Sequence, residues 1–204
     1  MKKVFLTLSV LFIALTSCSE NDNSTPSSGA NETYIDATSN TTWHYYSLTN
    51  NKVVGTGEET VADNALWFAR SDWDFAINRF FVRTNSGEAT TVKADGGVYT
   101  CDPSISFASV MSLPENVIFI KDKTMTLDIM NGKKFTSIMS TAAVVKFKTA
   151  EDGTLVMPPV YMQTPVYIFR TADGKQSYKV QFTQYQNENK QTGHVKFNSA
   201  LIKK

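Results

Sequence analysis

The chain is poor in the residues that form disulfides and bind metals. It has only two cysteines and two histidines. Beyond Cys18, whose separate role is described below, the only cysteine is Cys101, so a disulfide within the folded part is excluded. Cys101 follows a β-like run, which predicts a small buried apolar side chain rather than a reactive thiol. A zinc site needs three or four ligands, so His44 and His194, far apart in the sequence, cannot form one alone.

The motifs of common enzymes and an excess of one charge are also absent. The sequence has no Gly-x-Ser-x-Gly, His-Glu-x-x-His, phosphate-binding loop or Cys-x-x-Cys. Its 20 Lys and Arg nearly balance its 19 Asp and Glu, which argues against a nucleic-acid partner. We therefore expect a protein that is not an enzyme. Asp72 and Asp74 would share one face of a strand, which leaves a glycosidase-like carboxylate pair as the catalytic alternative.

The one export-like segment lies at the start of the chain. Two lysines and an apolar segment at 4–14 precede the motif Leu-Thr-Ser-Cys, which ends at Cys18. This order is typical of a bacterial lipoprotein signal, and the apolar run is too short to span a membrane. We predict a signal peptide at 1–17 and a lipid anchor on Cys18.

The composition changes after Cys18. Residues 18–32 are mainly Ser, Asn, Thr, Pro, Gly and acids, which bury too little apolar surface to fold on their own. We predict that 18–32 is a disordered tether from the lipidated cysteine and that 33–204 is a single domain.

The folded part shows short β-like runs separated by turns. Asp-Gly between 165–170 and 178–182 predicts a hairpin, in which alternate residues from Tyr178 point inward and Lys179 faces water. The segment 73–83 predicts a central strand. Further strands are predicted at 43–48, 117–120 and 193–197, and a short helix at 134–143.

Several sequence blocks, in a fixed order, resemble the HmuY family. They are Trp-x-Tyr at 43–45, the segments 73–76 and 82–87 with Arg79 between them, and the segments 166–174, 179–185 and 193–197. The resemblance implies an all-β fold, a single β-sandwich domain of mostly antiparallel strands with at most one or two short helices.

The resemblance also implies a function. Members of the family are lipid-anchored in the outer membrane, exposed at the cell surface, and they capture haem and deliver it to an outer-membrane receptor. We therefore expect haem as the cofactor, that receptor and the membrane as partners, and leave a homo-oligomer open.

In the family that this chain resembles, the best-known member holds haem between two histidines. This sequence has no histidine between residues 67 and 193, so a bis-histidine site is excluded. Some relatives look as if they bind the haem iron through methionine instead.

By position in the family pattern, Met125 and Met157 are the expected axial ligands, with Met130 and Met162 as alternates. A thioether is a soft donor that can bind haem iron axially. Because Met125 alternates with polar residues, as in a strand with one buried face, a core-filling role is the competing interpretation.

Other residues are expected to contact the porphyrin ring and its propionates. Tyr161 and Phe119 are candidates to pack on the porphyrin, and the candidates to bind a propionate are Lys121, Lys123 and Lys133. The alternative function is a glycan-binding or adhesive surface lipoprotein without haem activity, in which exposed tryptophans stack on sugar rings. The candidates for that stacking are Trp43, Trp67 and Trp73.

Overall fold

The protein folds into an antiparallel β-sandwich, as predicted. The computed structural model describes residues 29–129 and 133–203. The signal peptide predicted at 1–17, the predicted lipidation site Cys18 and the alternate ligand Met130 lie outside the described residues. Within them, no helix is long and apolar enough to cross a membrane.

Thirteen strands, one α-helix and one 3₁₀ turn are present in the described part of the chain. In chain order they are β1 (Asn31–Asp36), β2 (Thr42–Ser47), β3 (Lys52–Glu58), α1 (Val61–Phe68), β4 (Phe75–Asn78), β5 (Phe81–Thr84), the 3₁₀ turn (Gly87–Ala89), β6 (Gly97–Thr100), β7 (Lys123–Ile129), β8 (Lys133–Met139), β9 (Lys146–Phe147), β10 (Tyr161–Met162), β11 (Tyr167–Arg170), β12 (Ser177–Gln186) and β13 (Thr192–Leu201). β1 thus begins two residues before the predicted domain start at residue 33.

Two sheets enclose the main core. The five-stranded sheet has the order β1-β13-β12-β11-β6, and the four-stranded sheet has the order β3-β2-β4-β5. Phe75 of the second sheet contacts Phe169 and Phe197 of the first, with ring centroids 5.0 and 5.5 Å apart. The predicted hairpin is confirmed as β11–β12, with Tyr178 and Val180 in this core.

The outer face of each sheet is also covered. Helix α1 and the β7–β8 pair pack over the four-stranded sheet, and residues 101–122 pack over the five-stranded sheet. Trp67 of α1 stacks on Tyr45 of β2 with centroids 3.9 Å apart. Gly57 of β3 lies directly against Trp67, so any side chain at position 57 would collide with the indole. The apolar cluster between the four-stranded sheet and the covering α1 and β7–β8, which we call the second core, therefore requires a glycine in an edge strand.

A buried arginine joins the elements of this second core. Arg83 of β5 is fully buried, and its Nη2 lies 3.1 Å from the Glu59 carboxylate. The same guanidinium donates to the Asn64 side chain (2.9 Å), the Ser137 hydroxyl (2.9 Å) and the Ile138 carbonyl (2.8 Å). One side chain thus ties β5 to the start of α1 and to β8.

Three sequence predictions about local structure are wrong. The segment 73–83 is a hairpin of β4 and β5, because Arg79 adopts a left-handed φ of 54° and reverses the chain. The segment 134–143 is not a helix: Phe135 and Ser137 face the second core from β8, which pairs with β7. Lys179 is buried, with its ammonium 2.8 Å from the Phe107 carbonyl.

The strand predicted at 117–120 is reduced to one bridge. Ile120 pairs with Val98 of β6, and the residues before it are not in a strand. They run over the outer face of the five-stranded sheet, where Phe119 packs beside the third apolar cluster.

We predict that Arg83→Ala lowers the free energy of unfolding by about 3–5 kcal/mol, because it leaves the Glu59 carboxylate largely buried without its counter-ion. Urea denaturation measures this change. Lys175→Ala is the control: Lys175 lies 3.7 Å from Asp173 in an exposed pair, and such pairs contribute about 0–1 kcal/mol. Equal losses in the two variants would contradict the assigned role of Arg83.

Candidate functional site

Two hairpins start at neighbouring positions along β5, one of the two edge strands of the four-stranded sheet. The first hairpin is residues 123–139, formed by β7 and β8, and the second hairpin is residues 146–162, closed by β9 and β10. The connection between them follows β5, since Ser140 N donates to Val82 O and Val144 N to Phe80 O, each at 2.9 Å. The two hairpins therefore start side by side.

Adjacent aromatic residues hold the two hairpins at their bases. Phe80 and Phe81 contact each other with ring centroids 4.2 Å apart. Phe81 stacks on Phe135 of the first hairpin at 4.4 Å, and Phe80 meets Phe147 of the second hairpin edge to face at 5.0 Å. Aromatic pairs of this kind contribute about 0.5–1.5 kcal/mol beyond the area they bury.

Carboxylates fix the start of the first hairpin. Buried Asp122 accepts hydrogen bonds from the backbone N–H of Thr84 at 2.8 Å and from the Thr84 hydroxyl. Glu88 accepts two hydrogen bonds from Thr124, at 2.7 and 2.8 Å. Gly87 has a φ of 56° and lies against the Asp122 carbonyl, so a side chain there would collide with it. Desolvation raises the pKa of Asp122 to about 7.

We predict that Asp122 makes the fold less stable as the pH rises from about 4 to about 7, because the folded state holds its proton more tightly than the unfolded chain does. The slope is at most about 1.4 kcal/mol per pH unit. Asp122→Asn keeps the side chain neutral, so wild type should lose roughly 1–2 kcal/mol relative to this variant between pH 5 and 7. Urea denaturation at both pH values measures the difference.

Asp152→Asn at the exposed tip of the second hairpin is the matched control. Hydrogen bonds from Thr154 lower the pKa of Asp152 below its ordinary value, so this variant should track wild type over the same range. A wild-type curve parallel to that of Asp122→Asn would contradict the prediction for Asp122.

The structure places the candidate ligands on both hairpins. Met125 of β7 pairs with Ser137 and is half-buried, on the face that packs against the second core. Met157 lies on the second hairpin and is 64% exposed, and Met162 of β10 is 47% exposed. The two expected ligands, Met125 and Met157, thus lie on different hairpins.

The second hairpin exposes an unusual amount of apolar side chain. Leu155, Met157, Val160 and Met162 are all exposed within eight residues. Where exposed apolar side chains form one continuous patch, they mark a binding site more often than isolated exposed residues do. Beside it, Met162 and Tyr161 line a cavity of about 330 Å³, which lies at the lower end of the range for small-molecule pockets.

Basic side chains surround both hairpins. Lys123 and Lys133 are exposed on the first hairpin, and Lys146 and Lys148 are exposed on the second. Lys146 and Lys148 were not predicted from the sequence, although their spacing around Phe147 is that of two strand residues on the same face and could have identified them.

Two of the proposed supporting residues lie elsewhere. Lys121 pairs with Asp95 at 2.5 Å, and Phe119 packs beneath the guanidinium of Arg170, 4.7 Å from its ring centroid. Neither is positioned by the hairpins. Tyr161 is, since it contacts Phe147 and lines the cavity.

The structure contradicts the proposed sugar-stacking residues. Trp43, Trp67 and Trp73 are all buried in the second core, so none presents a ring face to a glycan. Aromatic rings stack on sugars only when a face is accessible. The tryptophan basis for the glycan-binding alternative is therefore wrong.

The carboxylate pair is not a catalytic site either. Asp74 is buried and accepts hydrogen bonds from the backbone N–H groups of Leu48 and Ala172 at 2.7 and 2.8 Å, whereas Asp72 is exposed and paired with Arg70. Asp74 therefore serves to join β2 to the β11–β12 turn.

The predicted burial of Cys101 is confirmed, and the two histidines lie in separate strands, β2 and β13. Cys101 is buried, and desolvation raises its pKa. His194 shares a hydrogen bond with the Tyr34 hydroxyl at 2.6 Å, and half-buried His44 lies in β2. Among residues 29–129 and 133–203, no group of three His, Cys, Asp or Glu side chains could hold a metal ion.

Comparison with known proteins gives one family and a consistent set of folds. The family model described as HmuY protein matches residues 39–198. No curated protein sequence matches the chain significantly.

Three solved structures share the fold. A candidate lipoprotein from Bacteroides fragilis superposes with a TM-score of 0.62 at 23% identity, over 86% of this chain and 92% of its own. A candidate HmuY-like haem-binding protein from Bacteroides vulgatus gives 0.61 at 20% identity, over 86% and 93%. The apo HmuY analogue of Tannerella forsythia gives 0.54 at 22% identity, over 86% and 96%.

Proposed function

The chain belongs to the HmuY family, and we propose that it is a haem-binding lipoprotein of the cell surface, with the haem held between the first and second hairpins. The observation that carries this proposal is the exposed apolar surface of the second hairpin, which lies beside a methionine-bearing first hairpin. A flat apolar macrocycle would cover that surface.

The donor chemistry of the two hairpins fits haem iron. Met157 offers an exposed thioether on the second hairpin, and we propose Met125 as the second axial ligand from the first hairpin. Met130 and Met162 are the alternate donors. Thioether ligation favours the reduced iron and raises its potential, so we expect the reduced haem to bind more tightly.

Because Met125 is half-buried, its side chain must move before the sulfur can bind the iron. Its side chain packs against the second core, so ligation requires the thioether to leave that contact. Methionine has three rotatable side-chain bonds and tolerates such repacking better than branched residues do. The cost of removing Met125 from the core lowers the affinity that the iron–sulfur bond provides.

The other residues of the hairpins serve the rest of the ligand. Tyr161 can pack against the macrocycle, since it is fixed by Phe147 and faces the cavity. The exposed ammonium groups of Lys123, Lys133 and Lys146 lie on the two hairpins and suit the negatively charged propionates.

We further propose where the protein acts. A lipid on Cys18 would anchor the domain in the outer membrane through the segment before β1, leaving the hairpins exposed to solvent. The captured haem would then pass to an outer-membrane receptor. The exposed Met157 on the second hairpin is accessible to such a partner, whereas a ligand in the main core would not be.

We predict that Met157→Leu and Met125→Leu each weaken the binding of reduced haem by at least about tenfold, which corresponds to about 1.4 kcal/mol. The double variant should lose the Soret change that wild type gives. Leucine keeps the apolar volume and removes the sulfur, so the loss reports ligation. Absorption titration of the full chain under reducing conditions measures the affinity.

Met111→Leu is the matched control, because Met111 is exposed and lies outside both hairpins. It should bind haem like wild type. If Met130→Leu or Met162→Leu lowers the affinity for haem while Met125→Leu and Met157→Leu leave it unchanged, the alternates are the axial ligands. No spectral change on mixing wild type with reduced haem would contradict the proposed function.

A further inference from the structure

A second and larger cleft lies on the outer face of the five-stranded sheet, and no residue of either hairpin lines it. It has a volume of about 810 Å³ and opens between the β11–β12 turn, the end of β13 and the segment 112–119. This volume falls within the range of about 300–1,000 Å³ that small-molecule sites occupy. The haem proposal makes no use of this cleft.

One side of the cleft is apolar. Its wall is formed by Leu113, Val117, Phe119, Leu201 and Ile202. Leu113 and Leu201 remain partly exposed to solvent, whereas Ile202 is buried in the apolar cluster under the segment 101–122. An aliphatic chain lying against this wall would remove the exposed part from water, at about 25 cal/mol for each Å² buried.

The other side of the cleft is basic. Arg170, Lys175 and Lys203 line it, and no acidic residue does so in the described part of the chain. Asp95 lies behind Arg170, where one carboxylate oxygen accepts from both Arg170 and Lys121, at 2.8 and 2.5 Å. One carboxylate shared by two cations leaves a positive charge uncompensated, and Lys175 has only the weak exposed pair with Asp173 at 3.7 Å.

The bonding of Arg170 is incomplete. Its guanidinium covers Phe119 and gives Nη2 to Asp95, while its Nε is a buried donor with no acceptor within the described ranges. Buried donors in native proteins usually have a partner, and an exception calls for an explanation such as a bound group. A guanidinium binds planar carboxylates through two parallel hydrogen bonds.

We propose that this cleft binds an aliphatic carboxylate, with the chain against the apolar wall and the carboxylate among Arg170, Lys175 and Lys203. The charge complementarity of the cleft selects a negative head group, and its apolar wall selects a hydrocarbon tail. The site is independent of the haem-binding hairpins.

Dodecanoate is the probe, and calorimetric titration of the full chain is the measurement. Wild type should bind dodecanoate, and the double variant Lys175→Gln/Lys203→Gln should bind it roughly tenfold more weakly, as expected for the loss of two partly exposed ion pairs. Dodecanol, which has the same chain and no charge, should bind more weakly than dodecanoate. The methyl resonances of Val117 and Ile202 should shift on binding.

Two controls separate this site from the rest of the protein. Lys196→Gln changes a β13 lysine that does not line the cleft and should keep wild-type affinity. Met157→Leu should also keep it, whatever its effect on haem, so failure of the haem proposal and failure of this one are distinguishable. Absence of dodecanoate binding, equal affinity in the double variant, or equally tight binding of dodecanol would overturn the proposal.

Discussion

The buried guanidinium of Arg83 is the interaction on which the placement of the candidate site depends. It lies in β5, and its hydrogen bonds reach Glu59 and Asn64 at the start of α1 and Ser137 in β8. A charge buried at this depth is stable only when its partners are all in place. The geometry of α1, β5 and the first hairpin is therefore coupled through one side chain.

This coupling holds the base of the first hairpin against β5 and α1. Phe80 and Phe81 extend the base toward both hairpins, and Asp122 and Glu88 fix the point at which the first hairpin begins. Beyond these contacts, the second hairpin exposes its apolar side chains. Haem bound as proposed would contact these two hairpins through Met125 and Met157, neither of which belongs to the main core.

The elements that were predicted correctly are those specified by neighbouring residues in the sequence. Asp173-Gly174 between two alternating runs located the β11–β12 hairpin, and the sandwich class followed from the family resemblance. The wrong predictions concern segments whose structure is determined by contacts with residues distant in the sequence. The segment 134–143 has apolar residues three and four apart, as a helix does, yet pairing with β7 makes it a strand. Lys179 is buried because Phe107, far away in sequence, supplies both a ring and a carbonyl.

The candidate site was predictable to a similar extent. Methionine positions followed from the family pattern, but the network around Arg83 could not be predicted, since charged residues are expected at the surface and its partners are scattered along the chain. The tryptophans illustrate the reverse error, because a large aromatic residue in a sequence does not reveal whether its ring faces the core.

The central claim is that two thioethers from separate hairpins bind one haem iron. The most direct test is the NMR spectrum of the full chain labelled with carbon-13 at its methionine methyl groups, recorded with reduced haem bound. Two methyl resonances should move far upfield under the ring current of the porphyrin, and they should disappear on Met125→Leu and Met157→Leu respectively. Methionine resonances that all stay at their apo positions in a haem-loaded sample would contradict the account.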